Sequence, residues 1–511
     1  MKNLFVFFLF LFITASLNAQ WQMEVPLTSD PTNSYTSFGN ARCIATDGNT
    51  IHVVWYDGVT IAKPNWEIFY KRSTDGGLNW SANVNLSNND SISYNPAIAV
   101  SGNYVHVVWY DNLDSKLDVD GKPDWNYEEY YKRSTDGGIT WGPVIRLTNN
   151  AYKSLHPSIF VSGLNVHIVW NDNRDGNYEV YYKNSADRGD NWSADMRLSY
   201  TAGKSWIPAV AVSGSVVHVA WHDSTAGNWE IYYKRSIDGG ISWGADTRLT
   251  NNSASSEYPT LAVSGSIVHI AWNDFRNGTI PNIYYKRSTN GGLSWGTDTR
   301  LSMKNSNYDL FPSLELNGSN LHLVFYSHRT TGKYASYDII YKKSTNDGVT
   351  WGSDVQLTNN RAHSVVPSIA VSGTNVHVIF RDNREGNYEI YYKRYIGPSL
   401  QKGLAVVEQE EGLPSTFELT QNYPNPFNPS TVISYQLPVA GYVTLKIYDL
   451  LGSEISTLVN EYQQAGIHNS TFNTQNLFLP SGIYFYRLQT SDPSLRSGQG
   501  FVDMKKMILV K

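Results

Sequence analysis

The chain has 511 residues, of which 17% are charged, and its formal net charge at pH 7 is −5. This length has room for more than one domain, and the lack of a basic excess argues against nucleic acid or an anionic membrane as a partner. Aromatic residues make up 14% of the chain, which is typical of packed strands. The single cysteine, Cys43, excludes an intrachain disulfide, and its apolar neighbours predict a buried structural residue.

Residues 1–19 have the pattern of a signal peptide. Lys2 supplies a positive start, residues 4–13 are an unbroken apolar run, and small residues lead up to Ala19. The apolar run is too short for a membrane span, and no later segment is apolar for long enough. The sequence therefore predicts an exported, soluble mature protein with no transmembrane segment.

A turn of the form Ser-x-Asp/Asn-x-Gly-x-x-Trp occurs six times and is called the boxed turn below. The Ser and Asp side chains can cap backbone N–H groups, the Gly allows a positive φ, and the Trp packs back over the turn. The copies begin at Ser73, Ser134, Ser185, Ser236, Ser288 and Ser344. A repeat of this period is typical of propeller blades or of a solenoid.

Four strand patterns accompany each boxed turn, and the second of them carries a histidine. The copies are His52, His106, His167, His218, His269, His322 and His377. This strand thus occurs seven times, whereas the boxed turn and the fourth strand behind it occur six times. Residues 21–28 resemble the missing fourth strand. We predict an all-β, seven-bladed β-propeller over residues 20–395 that its N-terminal strand closes, with a six-bladed ring as the alternative. The histidines are expected to pack or to form buried hydrogen bonds, not to bind a metal.

The boxed turn resembles the Asp-box, or bacterial neuraminidase repeat, of sialidases and of many other propellers. The resemblance implies that these turns lie on the face opposite the functional one, which the loops between the second and third strands would help to form. Polar residues recur in those loops, and Asp111 shares their pattern. The candidate ligand-binding residues are Asp57, Asp172, Arg174, Asp223, Asp274, Arg276, Arg329, Asp382 and Arg384. Because such residues repeat from blade to blade, each is also expected to shape its own turn.

The catalytic residues that the sialidase resemblance implies cannot be assembled from this sequence. The family carries an Arg-Ile-Pro motif, three arginines that bind the substrate carboxylate, a Tyr nucleophile with a Glu partner and an Asp acid/base, but no Arg-Ile-Pro occurs here. Residues outside the repeat consensus on this face are Arg42, Glu257, Glu315 and Arg361. We therefore predict no catalytic residues and a non-catalytic module that binds a glycan or surface polymer. A divergent exo-α-sialidase-like glycoside hydrolase and an architectural surface protein are the alternatives.

An acidic loop follows the second copy of the second strand. Asp114, Asp118, Asp120 and Asp124 alternate with other residues in a way that resembles a calcium loop, although the register of an EF-hand would begin at Lys116. Calcium is thus the single cofactor that the sequence suggests. The alternative is a solvated polar loop.

The last part of the chain has a different composition. Residues 396–416 read as a linker, and residues 417–511 predict a small Ig-like β-sandwich. The motifs at residues 419–431, 449–452 and 479–487, with the final strand at 505–511, closely resemble the type A C-terminal sorting domain of type IX secretion cargo. This resemblance implies type IX machinery as a partner and transport through the periplasm to the medium or cell surface. We expect a monomer.

Overall fold

The structure is a computed structural model. It describes residues 20–38, 41–58, 65–115, 125–302, 307–329, 336–397, 416–422, 424–439, 441–463, 466–474, 477, 479–490 and 501–510. The predicted signal peptide, three of the predicted calcium ligands (Asp118, Asp120 and Asp124) and most of the predicted linker lie outside these residues. The described part of the chain is built from strands without a helix, and so it has no helix that could span a membrane. The chain divides into two compact units between residues 400 and 401.

The first unit consists of antiparallel sheets, of which the described residues form seven. We number the sheets by their second strands, which are Thr50–Gly58, Tyr104–Asp111, Asn165–Asp172, Val216–Asp223, Ile267–Asp274, Asn320–Arg329 and Asn375–Asp382. The third strands are Trp66–Ser73, Glu128–Ser134, Glu179–Ser185, Glu230–Ser236, Asn282–Ser288, Ser336–Ser344 and Glu389–Ile396. Alternation of β-branched and aromatic residues explains why these segments form strands.

The innermost strands lie side by side around a common axis. In sheets two to seven they are Ser93–Ser101, Ser154–Ser162, Ser205–Ser213, Ser256–Ser264, Asn307–Asn317 and Ser364–Ser372. In sheet one this strand is interrupted and consists of Ser34–Tyr35 and Ile44–Asp47. Each innermost strand contacts those of its two neighbours, and the strand of sheet seven contacts that of sheet one. This cyclic order is the arrangement of propeller blades.

The outermost strands are much shorter than the sequence pattern predicts. They are Val84–Asn85, Ile145–Arg146, Met196–Arg197, Thr247–Arg248, Thr299–Arg300 and Val355–Gln356. The backbone hydrogen bonds between the third and outermost strands end early because a side-chain hydroxyl, instead of a backbone carbonyl, accepts the next N–H of the third strand. In sheet four, for example, the Ile231 N–H donates to the Thr250 hydroxyl at 2.8 Å, whereas the Leu249 N–H still donates to the Ile231 carbonyl at 2.7 Å.

The N-terminal segment completes sheet seven, as its sequence predicted. Gln20–Trp21 and Val25–Pro26 pair with Glu389–Ile396, and the Ile390 N–H donates to the Thr28 hydroxyl at 2.8 Å. Trp21 packs on Tyr341 of sheet six with ring centroids 5.0 Å apart. The boxed Trp of every other sheet makes the same contact with its preceding sheet. The two ends of the propeller sequence are therefore held together in one sheet without a disulfide.

The repeated histidines form buried hydrogen bonds, as predicted. In sheet three, His167 Nδ1 and the Tyr182 hydroxyl are 2.8 Å apart, and the corresponding pair in the other six sheets is separated by 2.6–2.8 Å. Burial lowers the pKa of His167 to about 4, so the imidazole is neutral at pH 7. The Tyr182 hydroxyl in turn lies over Gly240 of the next boxed turn. A Cβ at Gly240, whose φ is +93°, would overlap that hydroxyl. Glycine is thus required there for both conformation and space.

The described residues of the second unit form two antiparallel sheets. One has the order Glu418–Leu419, Ser430–Leu437, Gly466–Asn473, and the other Glu454–Gln463, Gly441–Tyr448, Gly482–Thr490, Val502–Leu509. A single apolar core contains Ile433 and Tyr435 from the first sheet and Leu445, Ile447 and Tyr486 from the second. Alternate residues of each strand face this core, which is the packing of a β-sandwich.

Candidate functional site

The register of the sheets separates two ends of the propeller. The boxed turns follow the third strands, at the end where Ile51 pairs with Ser73. The other end, where Asp57 pairs with Glu67, carries the start of each innermost strand and the loop between the second and third strands. We call this second end the aromatic face, because aromatic side chains from all seven sheets meet there. The resemblance to Asp-box propellers implied that function lies at this end.

The predicted aspartates are buried and hydrogen-bonded within the sheets. Asp172, whose side chain is 0% exposed, accepts hydrogen bonds from the Trp170 indole at 3.1 Å and from the Ser154 hydroxyl at 2.9 Å. Asp57, Asp111, Asp223 and Asp274 accept the same two kinds of bond, and Asp382 accepts one from Ser364. Burial raises the pKa of Asp57 to about 7. These carboxylates join the innermost strand to the second strand.

Three of the predicted arginines lie against these aspartates. Arg174 donates to both carboxylate oxygens of Asp172 at 2.8 and 2.5 Å, stacks on the Tyr181 ring at 4.5 Å and pairs with Asp195 at 2.8 Å. Arg276 and Arg384 repeat this arrangement in sheets five and seven. Arg329 ends a strand. The structure therefore holds Arg174, Arg276 and Arg384 in separate sheets, and their role in ligand binding stays a prediction.

The calcium prediction rests on one described residue. The Asp114 carboxylate accepts hydrogen bonds from the Tyr130 hydroxyl at 2.5 Å and from Arg146 at 2.8 Å. No group of three or more His, Cys, Asp or Glu side chains suited to a metal occurs among the residues that the structure describes. The calcium loop stays a prediction.

Two of the four non-consensus residues meet on the propeller axis. Arg42 and Glu315 form an ion pair of 2.7 Å across a cavity of about 140 Å³ that the innermost strands surround. Arg42 also lies 5.5 Å from the centre of the Phe160 ring. Glu257 lies elsewhere, on the innermost strand of sheet five, and Arg361 precedes that of sheet seven. Arg42 and Glu315 neutralise each other, so this pair links sheets one and six instead of presenting a free charge.

Aromatic rings continue from sheet to sheet around the aromatic face. Neighbouring rings have centroids 4.7–5.8 Å apart in the pairs Tyr35–Tyr388, Tyr35–Tyr56, Tyr56–Tyr94, Tyr110–His156, His156–Trp206, His222–Tyr258, Tyr258–Phe311, Phe311–Tyr326 and Tyr326–Tyr337. Most of these side chains are partly exposed. Part of this surface is therefore available to a ligand.

An irregularity of the backbone sets the direction in which some of these rings point. Each innermost strand of sheets two to seven contains a bulge at a residue before proline, and that residue has a positive φ. These residues are Asn95, His156, Ile207, Tyr258, Phe311 and Val366, with φ between 48° and 58°. Such a conformation is unfavourable for large or β-branched side chains, and bulges of this kind redirect a side chain.

A side chain on the second strand of one sheet accepts a hydrogen bond from the bulge in the innermost strand of the next sheet. The Ile207 N–H donates to Asn171 Oδ1 at 2.8 Å, the Tyr258 N–H to His222 Nδ1 at 3.2 Å and the Phe311 N–H to Asn273 Oδ1 at 3.1 Å. The residues at this position of the second strand are Tyr56, Tyr110, Asn171, His222, Asn273, Tyr326 and Arg381. They vary, although the Asp that follows is repeated in six of the seven sheets. An alignment of the repeats identifies this position, whereas the candidate residues predicted from the sequence were the repeated Asp and nearby arginines.

Arg381 is the cation at this position, and it lies beside the interrupted strand of sheet one. Its guanidinium lies over the rings of Tyr35, Phe38 and Tyr388 at 4.9, 4.8 and 5.2 Å. Its Nε is buried without a hydrogen bond, and within the described ranges it forms no ion pair. Burial lowers the pKa of Arg381 from its ordinary value, but arginine stays charged at neutral pH.

Two protein families match parts of the sequence. The BNR repeat-like domain matches residues 10–270, and the secretion system C-terminal sorting domain matches residues 421–497. No curated protein matches the sequence. The sorting domain indicates that the chain is a cargo of type IX secretion, exported to the exterior or to the cell surface.

Several solved structures resemble the chain distantly. A protein of unknown function from Dyadobacter fermentans is 12% identical, with 74% of this chain and 99% of that chain covered and a TM-score of 0.46. The polysaccharide lyase Uly1 is 9% identical, with 74% and 99% covered and a TM-score of 0.49. A Trypanosoma rangeli sialidase is 13% identical, with 80% and 83% covered and a TM-score of 0.39.

The BNR repeat-like match spans more than half of the chain and agrees with the boxed turns of the sheets. In each of these turns the Ser hydroxyl accepts the Gly N–H, as it does at 2.8 Å between Ser73 and Gly77. Type IX sorting accounts for the second unit. The chain thus belongs to the BNR repeat-like family.

Proposed function

We propose that the propeller is a non-catalytic module that binds a glycan or a related surface polymer on its aromatic face. The observation that carries this proposal is the series of mostly partly exposed aromatic rings at that end of the sheets. Aromatic rings offer an apolar surface for the C–H groups of a sugar ring, and tyrosine and tryptophan add a polar edge. A few such groups on a rigid scaffold are typical of a ligand site.

The hydroxyl groups of these tyrosines support the same conclusion. In the part of the chain that is described, the hydroxyls of Tyr35, Tyr56, Tyr94, Tyr326 and Tyr388 make no hydrogen bond, and none of them is a buried unpaired atom. They are therefore donors and acceptors that solvent or a ligand can reach. By contrast, the hydroxyls of the tyrosines next to the repeated histidines are hydrogen-bonded to those histidines inside the sheets.

A pair of tryptophans in sheet four provides a matched test. Trp206 lies on the aromatic face and Trp243 in the boxed turn, and both are partly buried. We expect the mature protein to bind members of a glycan array, and Trp206→Ala to weaken that binding at least about tenfold, the loss of a stacking contact. Trp243→Ala should leave affinity unchanged in the folded fraction.

Three results would contradict the proposal. Equal loss of affinity in both tryptophan variants would show that binding depends on stability and not on the aromatic face. Release of sugar from a fluorogenic sialoside or an oligosaccharide during the same incubation would favour the hydrolase alternative. If no glycan binds at all, the architectural alternative is the better explanation.

A further inference from the structure

The junction between sheets seven and one differs from three other junctions of the propeller. At the junctions between sheets three and four, four and five, and five and six, Asn171, His222 or Asn273 accepts the N–H of the next bulge. The described residues of sheet one form no such bulge, because its innermost strand consists of two separate segments, Ser34–Tyr35 and Ile44–Asp47. The residue facing this gap is Arg381, whose Nε has no acceptor among the described residues. Arginine occupies this position in sheet seven, whereas the other six second strands have Tyr, Asn or His there, so the site differs from its counterparts as a specific ligand site requires.

The surroundings of Arg381 are aromatic and uncharged. Three rings flank the guanidinium, and the phenol groups of Tyr56 and Tyr326 are near enough to interact with it electrostatically. Asp382, the adjacent carboxylate, is engaged by Arg384, Ser364 and Asn360. The positive charge of Arg381 therefore has no counter-ion in the described residues, and a partly buried charge is unfavourable unless it is paired.

The same surroundings define the chemistry of the missing partner. Guanidinium groups bind carboxylates and sulfates through two parallel N–H donors, and tyrosine hydroxyls can add further donors to the remaining oxygens. The aromatic rings would contact the sugar that carries the acidic group. A cation or an uncharged alkyl group would leave the Arg381 charge unpaired.

We propose that Arg381, with the hydroxyls of Tyr35, Tyr56 and Tyr388, binds the acidic group of the glycan, either the carboxylate of a uronic acid or a sulfate ester. This proposal rests on the proposed glycan-binding function and names its substrate class. Arg381 is the determinant of specificity, whereas the other aromatic residues contact the sugar rings without regard to charge.

The first experiment uses small probes and does not depend on glycan binding. Unfolding of the mature protein is followed with sulfate, glucuronate or glucose at equal concentration, and chloride maintains the ionic strength. A ligand that binds the native state raises the unfolding temperature. We expect sulfate or glucuronate, but not glucose, to stabilise the wild-type propeller, and Arg381→Gln to abolish that effect. The comparison of sulfate with glucuronate distinguishes the two acidic groups.

The second experiment uses matched neutral, uronic acid and sulfated oligosaccharides in titration calorimetry. The wild-type protein should bind at least one acidic ligand about tenfold more tightly than the neutral one, and Arg381→Gln should remove the difference. Arg381→Lys keeps the charge but loses the two-pronged donor, and should retain part of the preference. If Arg381→Gln does not fold, the lysine variant carries the test.

The outcomes separate the two proposals. Equal effects of sulfate and glucuronate on wild type and Arg381→Gln, or equal affinity of the wild type for neutral and acidic glycans, would overturn the acidic site. Glycan binding that Trp206→Ala weakens would then still support the aromatic face. If the protein binds anions through Arg381 but binds no glycan, the anion site is supported and the proposed glycan-binding function is contradicted.

Discussion

At the boxed-turn end of the propeller, the Trp of each boxed turn packs on a Tyr of the preceding sheet with ring centroids 4.8–5.3 Å apart. At the aromatic face, the residue before the repeated Asp is instead Tyr, Asn, His or Arg, depending on the sheet. Repeated residues maintain the same contact between each pair of sheets. A ligand site needs one particular set of groups, and these occur where the repeat is broken.

The closing segment offers the largest test of this comparison. Deleting residues 20–28 removes Trp21, the buried Leu27 and the Thr28 contact with Glu389, and exposes the edge of the third strand of sheet seven. We expect the propeller to lose at least about 4 kcal/mol of its free energy of unfolding. Denaturant unfolding of the full mature chain measures this loss. Met23→Ala is the control, because Met23 is 87% exposed on the same segment. An unchanged propeller transition after the deletion would contradict closure by this segment.

Two kinds of tryptophan should differ in their contribution to stability. Trp221 of the second strand is 0% exposed, whereas the boxed Trp192 is partly exposed and its indole nitrogen has no hydrogen bond. Trp221→Ala should therefore cost about 3–5 kcal/mol and Trp192→Ala about 2–3 kcal/mol, because the cost follows the buried contacts removed. Equal losses measured by chemical denaturation would show that the boxed tryptophan is as much a core residue as the strand tryptophan.

The arginines that pair with the repeated aspartates test whether repeated charges stabilise the sheets. Arg276→Met leaves the carboxylate of Asp274 buried without its cation, and we expect a loss of about 2–4 kcal/mol. The double variant Arg276→Met/Asp274→Asn should recover much of this stability, since both charges are then absent. Glycan affinity of the folded Arg276→Met protein provides the second readout. A loss of affinity without a loss of stability would support the candidate ligand-binding arginines as ligand contacts.

Glu129 is a departure from the repeat with a smaller and opposite expected effect. The other sheets have Ile or Val at this position, whereas both carboxylate oxygens of Glu129 are buried without a hydrogen bond. Burial, with the nearby Glu128 and Asp172, raises the pKa of Glu129 well above its ordinary value. Glu129→Ile should increase the free energy of unfolding at pH 7 by about 1–3 kcal/mol.

The pH dependence gives this prediction a sign. In the native state Glu129 stays protonated. In the unfolded chain its carboxyl releases the proton at about pH 4.3, the ordinary pKa of glutamate. As the pH rises above about 4.3, Glu129 therefore costs the native state about 1.4 kcal/mol per pH unit, until the raised native pKa is reached. The difference in stability between Glu129→Gln and wild type should widen from pH 4 to pH 7. A difference independent of pH would mean that the carboxyl is not protonated in the native state.

Much of the fold could be predicted from the sequence because its signals are local and repeated. The Gly and Ser of each boxed turn encode that turn by themselves, and alternating residues encode the strands. The closing segment followed from counting copies, and the histidines were expected either to pack or to form buried hydrogen bonds. The short outermost strands did not follow from the sequence, because a Ser or Thr hydroxyl ends each ladder through a contact between strands that no single segment contains.

The candidate site was less predictable for a related reason. The repeated Asp residues attracted attention, yet their carboxylates are bonded inside the sheets. Arg42 and Glu315 are 273 residues apart in the chain, and the closed ring brings them within 2.7 Å. Arg381 becomes distinctive through Tyr35 and Phe38, which come from the other end of the propeller sequence.

The sequence by itself determined the β-class and the repeat, because periodicity and turn chemistry act over a few residues. The resemblance of its motifs to known families implied the sorting domain and the end of the sheets at which function was expected. The tertiary structure alone decided which polar groups are satisfied. That depends on what each side chain meets across a sheet or between sheets, and two chemically identical residues differ when one is paired. Arg384 has Asp382 as its partner, whereas Arg381, three residues earlier, faces aromatic rings and has none among the described residues.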